Sequence, residues 1–264
     1  METSRIFSEP RKRTPSNKDK SPMPLPSSKN LPLANGTENT SRPLIPSYLK
    51  QVYWWAYLHP RAVRFFEREW LVNLILWGNF TRLRNAALDE LGPTIEQKVL
   101  QVACVYGDFT QSIARRLRAP GTLDIVDVAL IQLDNLRRKL QPNPAIRLHR
   151  QDSSALRFDN AQFDTTLLFF LLHEQPAAVR RATLAEAIRV TRPGGKIVIV
   201  DYHRPARLHP LNIPMQMVLR TLEPFAMDLW HDDIAAFLPS GVSSEAVSKT
   251  HYFGRLYQKV VIRV

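Results

Sequence analysis

The chain predicts an α/β fold: a Rossmann-like sheet with helices on both faces, preceded by an N-terminal helical cap. Three observations carry this. From Lys98 onward, short apolar runs alternate with helix-compatible segments, as strands joined by crossover helices do. The first run, VLQVACVYGDFT at residues 99–110, passes from a strand through a tight turn at Gly107 into a helix. Such a turn is where these sheets offer backbone N–H groups to a nucleotide. Before it, apolar and aromatic residues recur at helical spacing over residues 61–91, which Gly92 and Pro93 end.

Residues 1–46 are rich in Pro, Ser, Asn and basic residues, including Arg11-Lys12-Arg13. They have too little apolar surface to offset their ordering entropy, so they are expected to be a disordered basic tail. The composition changes at Ser47, and residues 47–95 are expected to form an amphipathic cap. Residues 48–58 are aromatic and helix-compatible, and Pro60 opens the long segment that follows. There Val63, Phe66, Trp70, Leu71, Leu74, Trp77 and Phe80 share one face, flanked by Arg61, Arg64, Arg68, Arg82 and Arg84. Two uses fit this pattern: an interfacial helix in a lipid head-group layer, or a lid packed on the domain below.

Residues 96–264 are expected to be the Rossmann-like domain. Strands are expected at 99–105, 123–126, 145–148, 163–169 and 196–201, with helices at 109–117, 129–140 and 177–190. After a proline-containing connection and two short helices, a last strand pair is expected near 247–252 and 256–264.

Composition narrows the function. The single cysteine, Cys104, excludes an internal disulfide and a multi-cysteine zinc site, and it fits a reducing compartment. The formal charge of +12 calls for an anionic partner, nucleic acid or a membrane surface. The arginines lie beside tryptophans and no base-reading module is present, so nucleic acid is not expected. No signal peptide and no membrane-spanning apolar run is expected.

The candidate site gathers where strands end. Asp127 closes the second strand about 20 residues after the turn, where a carboxylate accepts hydrogen bonds from a ribose diol. Asp152 and Ser153 follow the third strand, where an adenine would lie. Val105, Tyr106 and Gly107 form the turn. Asp108 opens the next helix as a cap, and with Asp127 it could offer oxygen ligands to a hard divalent ion. His173 follows the fourth strand as a candidate acid or base, and Asp201-Tyr202-His203 follows the fifth.

The stretches 99–110, DIVDV at 124–128, 151–176 and IRVTRPGGKIVIVDYHRP at 188–205 together resemble a class I S-adenosylmethionine-dependent methyltransferase of the ubiquinone/menaquinone C-methyltransferase type. A typical member carries an acid at 101 and glycines at 103 and 105, where this chain has Gln101, Ala103 and Val105. Residues 53–80, the Val-Tyr-Gly-Asp turn and MQMVLRTLEPFAMDLWHDD at 215–233 are similar to the RquA family of rhodoquinone biosynthesis. That resemblance implies replacement of a ring methoxy group of ubiquinone by an amine. It also implies S-adenosylmethionine as amino donor, manganese as the divalent ion, and a peripheral place on the cytoplasmic face of an inner membrane (mitochondrial in a eukaryote). Tyr106 and Asp108 would then surround the methionine moiety, with His173 on the quinone side. Conventional methyl transfer to a quinone or its precursor is the alternative.

Overall fold

The computed structural model describes residues 45–54 and 59–264. The expected tail, apart from its last two residues, lies outside the described residues, as do residues 55–58 of the first aromatic segment. The sheet has seven strands: β1 (Lys98–Val102), β2 (Thr122–Asp127), β3 (Ile146–Arg150), β4 (Phe163–Phe169), β5 (Thr191–Tyr202), β6 (Val247–Tyr252) and β7 (Tyr257–Arg263), in the order β3-β2-β1-β4-β5-β7-β6. The first five are parallel; β7 runs antiparallel to both β5 and β6. The chain reverses its direction of travel between β1 and β4, and at such a switch point the loops diverge and leave a crevice at the carboxyl ends of the strands.

Strand alternation builds two cores. Val99, Leu123, Ile125, Leu167, Phe169, Val198 and Val200 face one side, packed by Phe109 and Ile113 of α5 (Phe109–Arg116) and Leu133 and Leu136 of α6 (Leu130–Lys139). Leu100, Val102, Leu168, Ile197 and Ile199 face the other, against Leu184, Ala187 and Val190 of α7 (Ala177–Val190). Each fully buried Leu, Ile, Val or Phe adds about 1.5–3 kcal/mol. Strand β5 starts earlier than expected, because Arg192–Gly195 continue it through an irregularity in its pairing with β4.

The cap departs from expectation. Residues 61–91 are not one helix but parts of three: α2 (Pro60–Phe66), α3 (Glu69–Ile75) and α4 (Phe80–Asp89), after a short α1 (Ser47–Gln51). Pro60 does open a helix. The break before α4 is local: Trp77 and Gly78 both adopt positive φ (51° and 77°), and the Asn79 amide donates to the Leu76 and Trp77 carbonyls. Helix α4 is core rather than cap, with Phe80, Leu83, Ala87 and Leu88 packed under the sheet. Beyond β5 come α8 (Asn212–Leu222) and α9 (Asp228–His231), with Met215 and Leu219 of α8 joining the first core. No helix among the described residues is long and apolar enough to cross a membrane.

Candidate active site

The turn after β1 keeps the backbone path of a glycine turn with other residues. Ala103 sits at φ 73°, a left-handed conformation that costs an L-residue about 1–2 kcal/mol. Gln101, fully buried, braces it: its amide donates to the Ala103 carbonyl at 2.9 Å and accepts from Thr110 Oγ1 at 3.0 Å. A neutral amide therefore clamps the turn where the resemblance leads one to expect an acid.

Gly107 and Asp108 are committed elsewhere. The Gly107 N–H donates to Glu67 Oε1 at 3.2 Å, and its carbonyl accepts from Lys139 Nζ at 2.7 Å. Asp108 accepts from Arg84 at 2.6 and 2.7 Å, from Arg115 at 3.2 Å and from Ser112 at 3.2 Å. Burial would raise its carboxyl, but Arg84, Ser112 and Arg115 outweigh this and hold it below the usual range. Gly107 and Asp108, both expected at the site, are thus engaged within the protein, where Asp108 ties α4 to α5. Among the described residues no group of three or more His, Cys, Asp or Glu is placed to hold one metal ion, so the residues expected to bind manganese do not fit it.

A small cleft lies over the carboxyl ends of β1 to β3. Asp127, Asp152, Ser153, Cys104 and Glu174 line it, and Pro46, Tyr48 and Leu49 roof it, leaving about 70 Å³. Each Asp127 oxygen accepts one backbone N–H at 2.8 Å, from Cys104 and from Ala129, and a carboxylate retains further acceptor sites beyond these. Burial raises Asp127 to about 6, against the lowering effect of those N–H groups. Asp152 Oδ1 is engaged by the Ser154 N–H and hydroxyl, both at 2.8 Å. The Ser153 hydroxyl accepts from Gln175 Nε2 at 3.0 Å and shares a hydrogen bond with Thr183 at 3.0 Å. Three carboxylates around one cleft suit a cationic ligand, and Asp127 suits a diol; these residues fit an adenosyl sulfonium once the roof lifts.

Val105 and Tyr106 instead line a second cavity of about 530 Å³, enclosed by Phe66, Trp77, Phe80, Phe169, Phe170, Tyr202, Met215 and Leu219. This size suits a small-molecule ligand. Tyr106 stacks on Phe66, and its hydroxyl accepts from Gln132 at 2.8 Å. The two cavities share Cys104, Phe170 and Glu174.

His173 stands in the wall of the larger cavity. Its Nδ1 lies 2.9 Å from Asp201 Oδ1, and its Nε2 lies 3.7 Å from Glu174 and 4.0 Å from Glu223. Burial works against its charge, but Asp201, with Glu223 and Glu174, outweighs it and raises the imidazole to about 9. These carboxylates thus favour the cationic form of His173. Glu223 itself is pushed up by burial. Fully buried Arg180 fixes this geometry: it donates to the carbonyls of Leu172, Gln175 and Phe225 at 2.8–2.9 Å and pairs with Asp228 at 3.3 Å. It joins the turn carrying His173 to the corner after Glu223. Sequence reasoning missed Arg180, Glu67, Glu223 and the bracing role of Gln101. Arg180 alone left a trace, an arginine in line with Leu184 and Ala187 on the buried stripe of α7.

Residues 99–195 match a family described as a methyltransferase domain. The 2-phytyl-1,4-naphtoquinone methyltransferase of Nostoc punctiforme is 34% identical over 110 residues, which is 40% of this chain and 47% of that protein. The demethylmenaquinone methyltransferase of Tropheryma whipplei is 31% identical over 155 residues, 58% of this chain and 61% of that one. The chain thus spans about half to three-fifths of the length of these relatives. An O-methyltransferase family protein from Burkholderia thailandensis superposes with a TM-score of 0.57 at 19% identity, over 78% of this chain and 61% of that one; at this identity the likeness concerns the fold.

Proposed function

We propose that this chain is a class I S-adenosylmethionine-dependent methyltransferase, that it transfers a group from S-adenosylmethionine to the ring of a reduced, hydroquinone-type acceptor, and that the group is methyl; the methyltransferase-domain match over residues 99–195 supports this. The observation that carries this is the meeting of an acidic cleft and an apolar cavity at Cys104, Phe170 and Glu174, with His173 on the apolar side. By name, one relative is a methyltransferase of 2-phytyl-1,4-naphtoquinone and the other of demethylmenaquinone, which supports a quinone-class acceptor.

S-adenosylmethionine supplies an electrophilic methyl on a cationic sulfur. The chain's residues do the rest. Asp127 holds the diol, while Asp152 and Glu174 add negative charge along the cleft. On the acceptor side, the imidazolium of His173, locked by Asp201, stabilises an oxyanion in a low-dielectric wall. That favours the ionised form of a phenolic ring, which is the nucleophile. As a ring carbon bonds to the methyl, the methyl–sulfur bond breaks and S-adenosylhomocysteine leaves; the proton then lost from that ring carbon has Glu223 at hand, a carboxylate that burial makes more basic than usual. The aromatic side chains of the larger cavity shield the acceptor ring from water.

A second reading is favoured by one observation. Glu67 takes the Gly107 N–H, so a methionine moiety is seated differently from one held by an open glycine turn. A rotated seat would present the α-amino group to the ring, where formation of the ring carbon–nitrogen bond expels the methoxy group as methanol and the nitrogen's bond to the donor's α-carbon must then break to leave the ring amine that the RquA resemblance implies.

The test follows the two labels separately. Protein is incubated with ubiquinone or a demethylated hydroquinone and S-adenosylmethionine labelled at the methyl carbon or the α-nitrogen, and the quinones are weighed by mass spectrometry. Methyl label in the product supports the first reading and nitrogen label the second. Neither label, from folded protein that binds S-adenosylmethionine, overturns both.

A further inference from the structure

Apart from Trp54, Phe65 and Leu130, the large exposed apolar residues of the described chain fall in two groups. Trp70 (58 % exposed), Leu74 (64 %) and Trp77 come from α3 and the turn after it, while Ile213 (73 %) and Met217 (68 %) come from α8, with Leu208 (97 %) in the loop before. The two groups adjoin: the Trp77 indole N–H reaches Met215 Sδ at 3.2 Å. Leu74 and Ile75 from one helix and Val218 and Leu222 from the other are partly exposed and also line the larger cavity. The apolar surface therefore continues inward around the mouth of that cavity. Soluble monomers rarely leave so contiguous an apolar surface without a partner.

Charge identifies the partner. Exposed Arg61, Arg64 and Arg68 flank the first group and exposed Arg204, Arg207 and Arg220 the second. Residues 59–77 contain two carboxylates, Glu67 and Glu69, and residues 204–222 contain none. Glu67 is already paired with Lys139. Six arginines around aromatic and aliphatic side chains match an anionic lipid surface, each worth roughly fivefold in binding near the head groups.

We propose that α3 and α8 form one composite docking face for an anionic bilayer surface, with the mouth of the acceptor cavity at its centre. The role of that mouth as an entry for a lipid-tailed acceptor rests on the function proposed above; the docking itself rests on exposure and charge. Helix α8 is an equal half of the face, although its sequence has no long aromatic stripe.

The test is vesicle flotation with the full chain, using phosphatidylcholine vesicles with and without phosphatidylglycerol. Neither quinone nor S-adenosylmethionine is present, so the result is independent of which group is transferred. The expected result is binding to the anionic vesicles about tenfold or more tighter than to neutral ones. Added salt should weaken it, and the double variant Ile213→Asp, Met217→Asp, with an unchanged near-ultraviolet circular dichroism spectrum, should lose it about tenfold. Neither residue lines the cavity, so turnover of a short-tailed soluble quinone should persist in that variant. The proposal is overturned by equal binding to both vesicle types, by no binding to either, or by a double variant that floats like the parent. A lipid-free dimer that the double substitution separates would assign the face to a second copy, which also overturns it.

Discussion

The carboxylate of Glu67 accepts the Gly107 N–H at 3.2 Å, and the Lys139 ammonium, paired with that same carboxylate, donates to the Gly107 carbonyl at 2.7 Å. Both polar groups of this turn residue are thus taken by side chains from α6 and from the end of α2. The cap is fastened to the sheet at the place where a glycine turn would otherwise face its ligand.

Replacing Glu67 by Ala leaves Lys139 and Asn135 without their shared partner. The expected loss is about 2 kcal/mol, the size of charge-assisted hydrogen bonds in a partly buried setting. A urea titration followed by tryptophan fluorescence reads it; an unchanged midpoint would show that the latch adds nothing.

Two substitutions in the turn should act in opposite directions. Gly107 has φ 79°, and a Cβ there would lie 2.8 Å from Cζ of buried Phe80, so Gly107→Ala should cost about 2 kcal/mol. Ala103 has φ 73°, so Ala103→Gly relieves strain and should gain about 1 kcal/mol. Thermal unfolding of the pair checks the signs.

The pH profile of kcat/KM should be bell-shaped. Asp127, raised from 3.8 to about 6 by burial, must ionise to hold the ribose, so affinity rises as pH passes about 6. His173 must be protonated, so turnover falls as pH passes about 9. The stability signs follow. A histidine raised from 6.5 stabilises the fold fully below 6.5 and loses that contribution by about 9. A raised aspartate favours the folded state while protonated, so its contribution declines between 3.8 and about 6. A flat profile between about 5 and about 10 would remove both residues from the reaction.

Asp201→Asn tests the locked imidazolium. Asp201 Oδ2 also accepts the Leu172 N–H at 2.8 Å, which an asparagine oxygen can still do. Turnover should fall about 10²–10⁴-fold, while S-adenosylmethionine affinity stays within about twofold. The upper limb of the pH profile should move below 9. A purely structural role would lower activity without moving that limb.

Tyr48→Ala tests the roof of the small cleft. A cavity of about 70 Å³ is far below the roughly 300 Å³ of an ordinary ligand site, so α1 must lift before the cofactor enters. Removing the ring should raise the association rate of S-adenosylmethionine, by about tenfold if the open form is one in ten. Stopped-flow fluorescence reads that rate, and an unchanged value would mean that α1 does not gate entry.

Local pattern in the chain is enough to delineate the sheet. Residues 163–169 and 177–190 were placed to the residue, and β1, β2, β3 and the final strand pair to within a few positions. Their apolar periods match the two faces they bury, and that information is local. It also placed Asp127, Asp152 and His173 at strand ends, because strand length fixes where a strand's carboxyl end lies. The tertiary structure alone decided the partners. Asp108 turns to Arg84, 24 residues earlier in the chain; Glu67 reaches Lys139, 72 residues later; Arg180 reaches Phe225 and Asp228. The long aromatic stripe was likewise split into α2, α3 and α4, since a periodic pattern states which face is apolar but not which surface each turn will meet. Periodicity encodes a residue's own neighbours along the chain. The side chain that neutralises a buried charge is chosen by packing, and packing exists only once the sheet has formed.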